Sequence, residues 1–311
     1  MTNFTSIHDT DNPQALVQQV LELKQNSSPS TLGMGKTLGL IFFNPSLRTR
    51  LSTQKAATNL GMNVIVMNIN GDAWNIEFED GTVMNGSTQE HIKDAVQVIS
   101  GYCDVMGVRT FAKLEDPQED YQEKVLNNFI KHSSVPLVSL ESATLHPLQS
   151  LTDLATITET GNSTPKVVLS WAPHPKKLPQ AVANSFLQWI TATDAQTTVV
   201  HPKGYELSDE FTDGVEVSHD QETALKDADF VYTKNWCSYA QYGQTPPVEK
   251  DWTINQQKMK LTNNGKFMHC LPIRRNVVAT DEVIDNSLVY EQAKNREYAA
   301  QAVLQNILEE L

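Results

Sequence analysis

The segment FFNPSLRTR, residues 42–50, sets hydroxyl, amide and guanidinium groups around one turn directly after the apolar run LGLIFF. That combination suits an anion. A strand running into a helix over 46–60, with Ser46 as N-cap, would turn free backbone N–H groups and the positive end of the helix dipole toward the hydroxyls of Ser46 and Thr49 and the guanidinium of Arg48. Together these would hold one phosphate. The plainer alternative is a capped surface helix with a solvated basic turn. Further reactive groups stand where other apolar runs end: Arg109 after CDVMGV, Glu141 and His146 after VPLVSL, and His174 after KVVLSW. Lys234 follows DFVYT, and Cys270 to Arg274 follow KFMH.

These groups need elements to position them. Apolar, β-branched runs alternate with helical patterns in a first series: TLGLIFF, 46–60, MNVIVMN, 88–100, CDVMGV, 117–132 and VPLVSL. After a helix from Pro147 to about Thr158 comes a second series: KVVLSW, 178–191, TTVVHP, 221–227, DFVYT and GKFMHCLP. Short apolar runs separated by helices are βαβ units with parallel strands, so the expectation is α/β, two domains, each a parallel sheet flanked by helices. The segment NREYAAQAVLQNILEEL has apolar residues at helical spacing and is expected to pack as an amphipathic helix. Open parallel sheets bind ligands beyond the carboxyl ends of their strands, which is where the reactive groups fall.

Composition narrows the function. At 311 residues the chain exceeds the length at which single cores stop growing, about 250–300 residues. A net charge of −13 argues against binding a nucleic-acid backbone, so an anionic ligand would need locally concentrated arginines. No signal-like N-terminus or long apolar run stands out, and three widely spaced cysteines without a C-x-x-C pair fit a reducing, cytoplasmic setting. Eight histidines without H-E-x-x-H give no metal site, and no cofactor is expected. GMGKT at 33–37 precedes a strand instead of following one, which removes a P-loop, and no G-x-G-x-x-G follows an expected strand.

Taken together, FFNPSLRTR, MGVRTF, LHPLQSLTDL, FMHCLPIRR and AKNRE, in this order from about residue 38 onward, resemble the aspartate/ornithine carbamoyltransferase family. The resemblance implies a carbamoyl-phosphate-binding domain over 1–148, an amino-substrate domain over 149–289, and a C-terminal helix, 290–311, packing back on the first. It implies a homotrimer with sites at subunit interfaces. Ser46, Leu47 through its backbone, Arg48 and Thr49 would hold the phosphate of carbamoyl phosphate with Arg109 and Arg296. His146, Pro147, Leu148 and Gln149 of HPLQ would line the carbamoyl group, His146 and Gln149 reaching its oxygen and amine. Cys270 and the Leu271 carbonyl would face the carbamoyl NH₂, and Trp74 would be lent to the neighbouring subunit's site. Arg48, His146, Cys270 and Arg296 are the residues expected to carry the reaction.

Departures from the pattern point to the acceptor. Where ordinary ornithine members carry an aspartate in a D-x-W-x-S-M-G loop, this chain reads TKNWCSYAQYG, with Lys234 at the aspartate position. A desolvated cation there repels an α-ammonium by several kcal/mol and tolerates an acylated amine. The chain thus resembles the N-acylornithine branch, with Glu141, His174, Lys234 and Arg274 expected to bind N-acylornithine, Glu141 toward its amine and Arg274 toward a carboxylate. Val278 stands where acetylornithine members tend to have lysine, which favours N-succinylornithine. Glu90 stands where acetyl users have glutamate and succinyl users proline, which favours N-acetylornithine, unless Glu90 faces solvent. Other classes considered are a non-catalytic anion-binding module, disfavoured because His146, Arg109 and HCLP are present, and transfer to putrescine, disfavoured by Lys234.

Overall fold

A computed structural model describes residues 1–26, 28–244 and 250–311. The chain divides into two compact units, the first comprising Met1–Ala112, Gln118–Leu148 and Arg296–Leu311, the second Lys113–Pro117 and Gln149–Asn295. Segments 113–117 and 290–295 thus fall in the second unit, where the sequence-based division puts them with the first.

The first unit is built on strands β1 (Asn3–Phe4), β2 (Thr37–Phe42), β3 (Asn63–Asn68), β4 (Ile76–Glu77), β5 (Glu90–His91), β6 (Val105–Arg109) and β7 (Leu137–Glu141). Five of them form a parallel sheet in the order β1-β7-β6-β2-β3, while β4 and β5 pair separately. The inner strands β2, β6 and β7 bury nearly every side chain, as strands covered on both faces must. On one side, Ile41, Met106, Val108 and Leu137 pack with Ile92 and Val96 and with Leu126 and Phe129 of the helices Ile92–Ser100 and Lys124–His132. The winding direction reverses between β2 and β6, whose last register pair is Phe42 and Arg109. The turn after β2 and the end of β6 are therefore neighbours at the carboxyl edge, the place where such sheets take ligands.

The second unit repeats the arrangement with β8 (Lys166–Trp171), β9 (Gln196–Val200), β10 (Glu216–Ser218), β11 (Phe230–Lys234) and β12 (Lys266–Met268). Its parallel order is β10-β9-β8-β11-β12, with the reversal between β8 and β11, where Trp171 pairs with Lys234. The C-terminal helix, Val289–Leu308, gives its residues from Arg296 on to the first unit. There Glu297 and Gln301 accept hydrogen bonds from Asn59 at 2.8 and 3.0 Å, and Asn306 accepts from Gln19 at 3.1 Å.

Several expected elements shift. The helix expected over 46–60 is Arg48–Asn59, and Leu47 at φ −88°, ψ −61°, rather than Ser46, is its cap residue, with no side-chain hydrogen bond. The chain bends at Leu47, so the helix starts one residue later than Ser46 as cap would give. The helix expected over 88–100 begins only at Ile92, capped by the His91 ring, because Glu90 and His91 pair with β4. The single helix over 117–132 is two, Pro117–Tyr121 and Lys124–His132. A helix at Pro13–Gln25 was unforeseen, although Asn12 accepting from the Ala15 N–H, with Pro13 in the first turn, is a legible start signal.

Candidate active site

In the first unit the expected phosphate residues meet. Thr49, in the first turn of the helix after β2, is 3 % exposed, and its Oγ1 accepts from Arg296 Nη2 at 2.6 Å and from Arg109 Nη1 at 3.3 Å. Arg48 opens the same helix one residue earlier. Arg109 also pairs with Glu141 Oε2 at 2.5 Å, and its guanidinium lies over the Phe111 ring at 4.6 Å. His146 Nε2 stands 3.5 Å from the same Glu141 oxygen. Arg296, Thr49, Arg109, Glu141 and His146 thus form one continuous run of buried polar side chains. Two buried arginines against one carboxylate leave an excess of positive charge, and little water reaches it to screen it. Arg50, the second arginine of the motif, is engaged elsewhere, donating to Asn68 and lying over the Phe42 ring at 4.9 Å.

Glu141 was expected among the amino-substrate residues. Because β7 lies beside β6, with Arg109 paired to Glu141 in register, the carboxylate is in contact with the Arg109 guanidinium. His146 follows after a tight turn and leads into the helix Pro147–Thr158.

In the second unit, His174 after β8 comes together with Arg274 after β12 and Lys234 at the end of β11. Arg274 Nε donates to His174 Nε2 at 3.0 Å, while His174 Nδ1 lies 2.9 Å from the Lys176 carbonyl oxygen. Burial holds the imidazole below its ordinary pKa, and the nearby charges of Lys234, Arg274 and Lys176 press it down further. A neutral ring donating from Nδ1 and accepting at Nε2 is the form that orients Arg274. At the switch between β8 and β11, Asn235 Nδ2 donates to the Ala172 carbonyl at 2.8 Å, fixing the two strand exits against each other.

Gln149 and the HCLP turn share an anchor, the aspartate of LHPLQSLTDL. Asp153, fully buried, accepts at Oδ1 from Gln149 Nε2 at 2.6 Å and from Gln292 Nε2 at 2.7 Å. Gln292 Oε1 in turn accepts from the His269 N–H at 3.0 Å, and the Leu271 N–H donates to His269 Nδ1 at 2.9 Å. Leu271 sits at φ 55°, the left-handed region that a leucine rarely occupies. Cys270 is buried beside the fully buried Tyr232, whose hydroxyl is pushed well above its usual pKa by burial and by Asp153 and Cys270.

Trp74 and Glu90, expected in separate roles, are bonded to each other: indole Nε1 donates to Glu90 Oε2 at 2.7 Å. Ile76 is opposite Glu90 in the β4–β5 pair, and Trp74, two residues earlier, lies on the same side. The indole remains 53 % exposed. Leu47 is exposed, and Leu148 is buried in the helix that carries Gln149.

Comparison with known proteins identifies the family. Residues 2–159 match the aspartate/ornithine carbamoyltransferase carbamoyl-P binding domain, and residues 179–307 match the Asp/Orn binding domain of the same family. The chain is 49 % identical over 317 residues to an N-succinylornithine carbamoyltransferase of Bacteroides fragilis, covering 100 % of both. It is 39 % identical to an N-acetylornithine carbamoyltransferase of Xanthomonas campestris, over 93 % of this chain and 92 % of that one. Among solved structures, a mutant N-acetyl-L-ornithine transcarbamylase complexed with carbamyl phosphate and N-succinyl-L-norvaline superposes with TM-score 0.94 at 36 % identity, over 99 % of this chain and 100 % of that one. An acetylornithine transcarbamylase complexed with acetylcitrulline gives the same score and identity, over 99 % of each.

Proposed function

We propose that this chain, which belongs to the aspartate/ornithine carbamoyltransferase family, transfers the carbamoyl group of carbamoyl phosphate to the side-chain amine of N-succinyl-L-ornithine, giving N-succinyl-L-citrulline and phosphate. The observation that carries this reading is the convergence of Arg109 and Arg296 on the Thr49 hydroxyl beside Arg48. In the proposed reaction these cations, with the Ser46 hydroxyl and the Leu47 backbone, grip the phosphate. The leaving group's charge is met by donors already in place, and one such donor is typically worth about 2.7–4 kcal/mol.

His146 donates to the carbamoyl oxygen as negative charge builds there, and Gln149, held by Asp153, fixes the group with the Cys270–Leu271 turn. The uncharged amine attacks the carbonyl carbon. The bond to phosphate breaks, and the departing phosphate takes the proton. Arg274, oriented by His174, pairs with a carboxylate of the acceptor, and Lys234 turns away a free α-ammonium.

A second reading, N-acetyl-L-ornithine as the preferred acceptor, is favoured by one observation. Glu90 is held by the Trp74 indole, so its charge is fixed in place, and a fixed carboxylate disfavours a second acceptor carboxylate. We infer a homotrimer in which Trp74 is presented to the neighbouring subunit's site, supported by the exposure of the indole. Sedimentation of the purified protein checks the assembly. A citrulline-type colorimetric assay with carbamoyl phosphate and a panel of N-succinylornithine, N-acetylornithine, ornithine, putrescine and aspartate tests the reaction. Turnover confined to the N-acyl acceptors supports the proposal, and turnover of none of the panel overturns it.

A further inference from the structure

Glu123 does something no motif announces. It stands in the left-handed region, φ 49° and ψ 40°, at the cap position of the helix Lys124–His132. A carboxylate in that position ordinarily accepts from the N–H groups of its own first turn. This one makes no such bond. Its Oε1 accepts instead from Ser142 Oγ at 2.5 Å, Thr144 N at 2.7 Å and Thr144 Oγ1 at 2.6 Å, and its Oε2 accepts from Ala143 N at 3.1 Å. The residues it grips are the turn that begins after Glu141 and ends before His146. The same turn is closed on itself, with the Ser142 N–H donating to the Leu145 carbonyl at 2.8 Å and the Leu145 N–H donating to Ser142 Oγ at 3.1 Å.

We propose that Glu123 is the positioning residue for His146: its carboxylate locks the 142–145 turn and so sets the separation of Glu141 and His146. The proposal rests on the reaction read above. Glu141 orients Arg109 from one end of the turn, and His146 meets the carbamoyl oxygen from the other. The clamp therefore fixes the oxyanion donor relative to the phosphate cations. Its anionic oxygens satisfy two backbone N–H groups of a buried turn that would otherwise relax toward other acceptors. The left-handed backbone of Glu123 is what breaks the helix expected across 117–132 and releases the carboxylate from capping duty.

The test is Glu123→Ala and Glu123→Gly, which both delete the carboxylate but respectively keep and relieve the left-handed backbone cost, alongside Glu123→Gln. Glutamine retains one oxygen for the three donors now on Oε1, while its NH₂ faces the Ala143 N–H. Expected is a fall in kcat of about 10- to 100-fold in both deletions, the scale of a misplaced catalytic group, with the acceptor KM little changed and most of the loss recovered in Glu123→Gln. Faster amide exchange at Ala143 and Thr144, and a displaced His146 ¹³Cε1 ring resonance in uniformly folded protein, should accompany it.

Wild-type kcat in either deletion overturns the proposal, as does a loss that only follows the fraction unfolded. If the wild-type protein turns over no acceptor, the functional reading falls. The exchange and ring resonances then decide the clamp: unchanged signals in Glu123→Gly overturn it and displaced ones support it.

Discussion

The two sheets share one winding and differ in what stands at its reversal. In the first unit the register pair at the switch ends in Arg109, buried, paired with Glu141 and touching Thr49. In the second it ends in Lys234, half-buried, near a neutral His174 that orients Arg274. The first site is assembled before any ligand arrives. Its donors are held by buried partners, so binding an anion costs little reorganisation. In the function proposed above, the second discriminates by the sign of a few more exposed charges. The difference teaches that one topology supplies a rigid site and a tunable one, according to whether the switch residue is locked by neighbours or left to meet the solvent edge.

The most damaging change to the rigid site is Arg48→Ala, expected to lower kcat/KM by at least about a hundredfold while the circular-dichroism spectrum and thermal midpoint stay near wild type. Near-normal turnover would erase the contrast between the two sites. Next is the tunable site. Lys234→Asp is expected to raise the ratio of ornithine to N-succinylornithine kcat/KM by about tenfold or more, since the like-charge penalty it removes is several kcal/mol when desolvated. An unmoved ratio would show that Lys234 does not face the acceptor. Glu90→Pro should raise N-succinylornithine turnover relative to N-acetylornithine, an effect moderated by water around the indole. If both acceptors respond equally, Glu90 serves Trp74 alone.

The smallest effect is the pH response of His174. Its folded pKa lies below the ordinary value of about 6.5, so the unfolded chain takes the proton first as pH falls. The contribution of the neutral ring is complete above about pH 6.5 and is lost as pH drops through the folded value. The acceptor KM should rise modestly from pH 7.5 to 5.5, and His174→Asn, which keeps an acceptor without titrating, should flatten the profile. A wild-type profile in that variant would remove His174 from acceptor binding.

The strands at Thr37–Phe42 and Lys166–Trp171 could be read directly because burial on both faces writes continuous apolar runs into the chain, whereas the edge strand Asn63–Asn68 shows itself through its β-branched residues alone. The helix Pro147–Thr158 could likewise be read. Short edge strands such as Glu216–Ser218 carry too few residues to show a pattern. Of the candidate site, the Arg48, Thr49, Arg109 and Arg296 cluster was legible as motifs. The contact of Glu141 with Arg109 was not, because it follows from the register of β7 against β6. The Trp74–Glu90 bond and the reach of Glu123 join segments 16 and about 20 residues apart through irregular backbone, which no periodicity records.

The three cysteines are all buried and unbridged, and burial pushes the Cys103 thiol up to about 11. The Cys103 sulfur is therefore withheld from solvent while the chain is folded. Alkylation of Cys103 by a maleimide at neutral pH, followed by peptide mass, should proceed only as molecules open, which turns this side chain into a built-in clock for unfolding that needs no engineered probe.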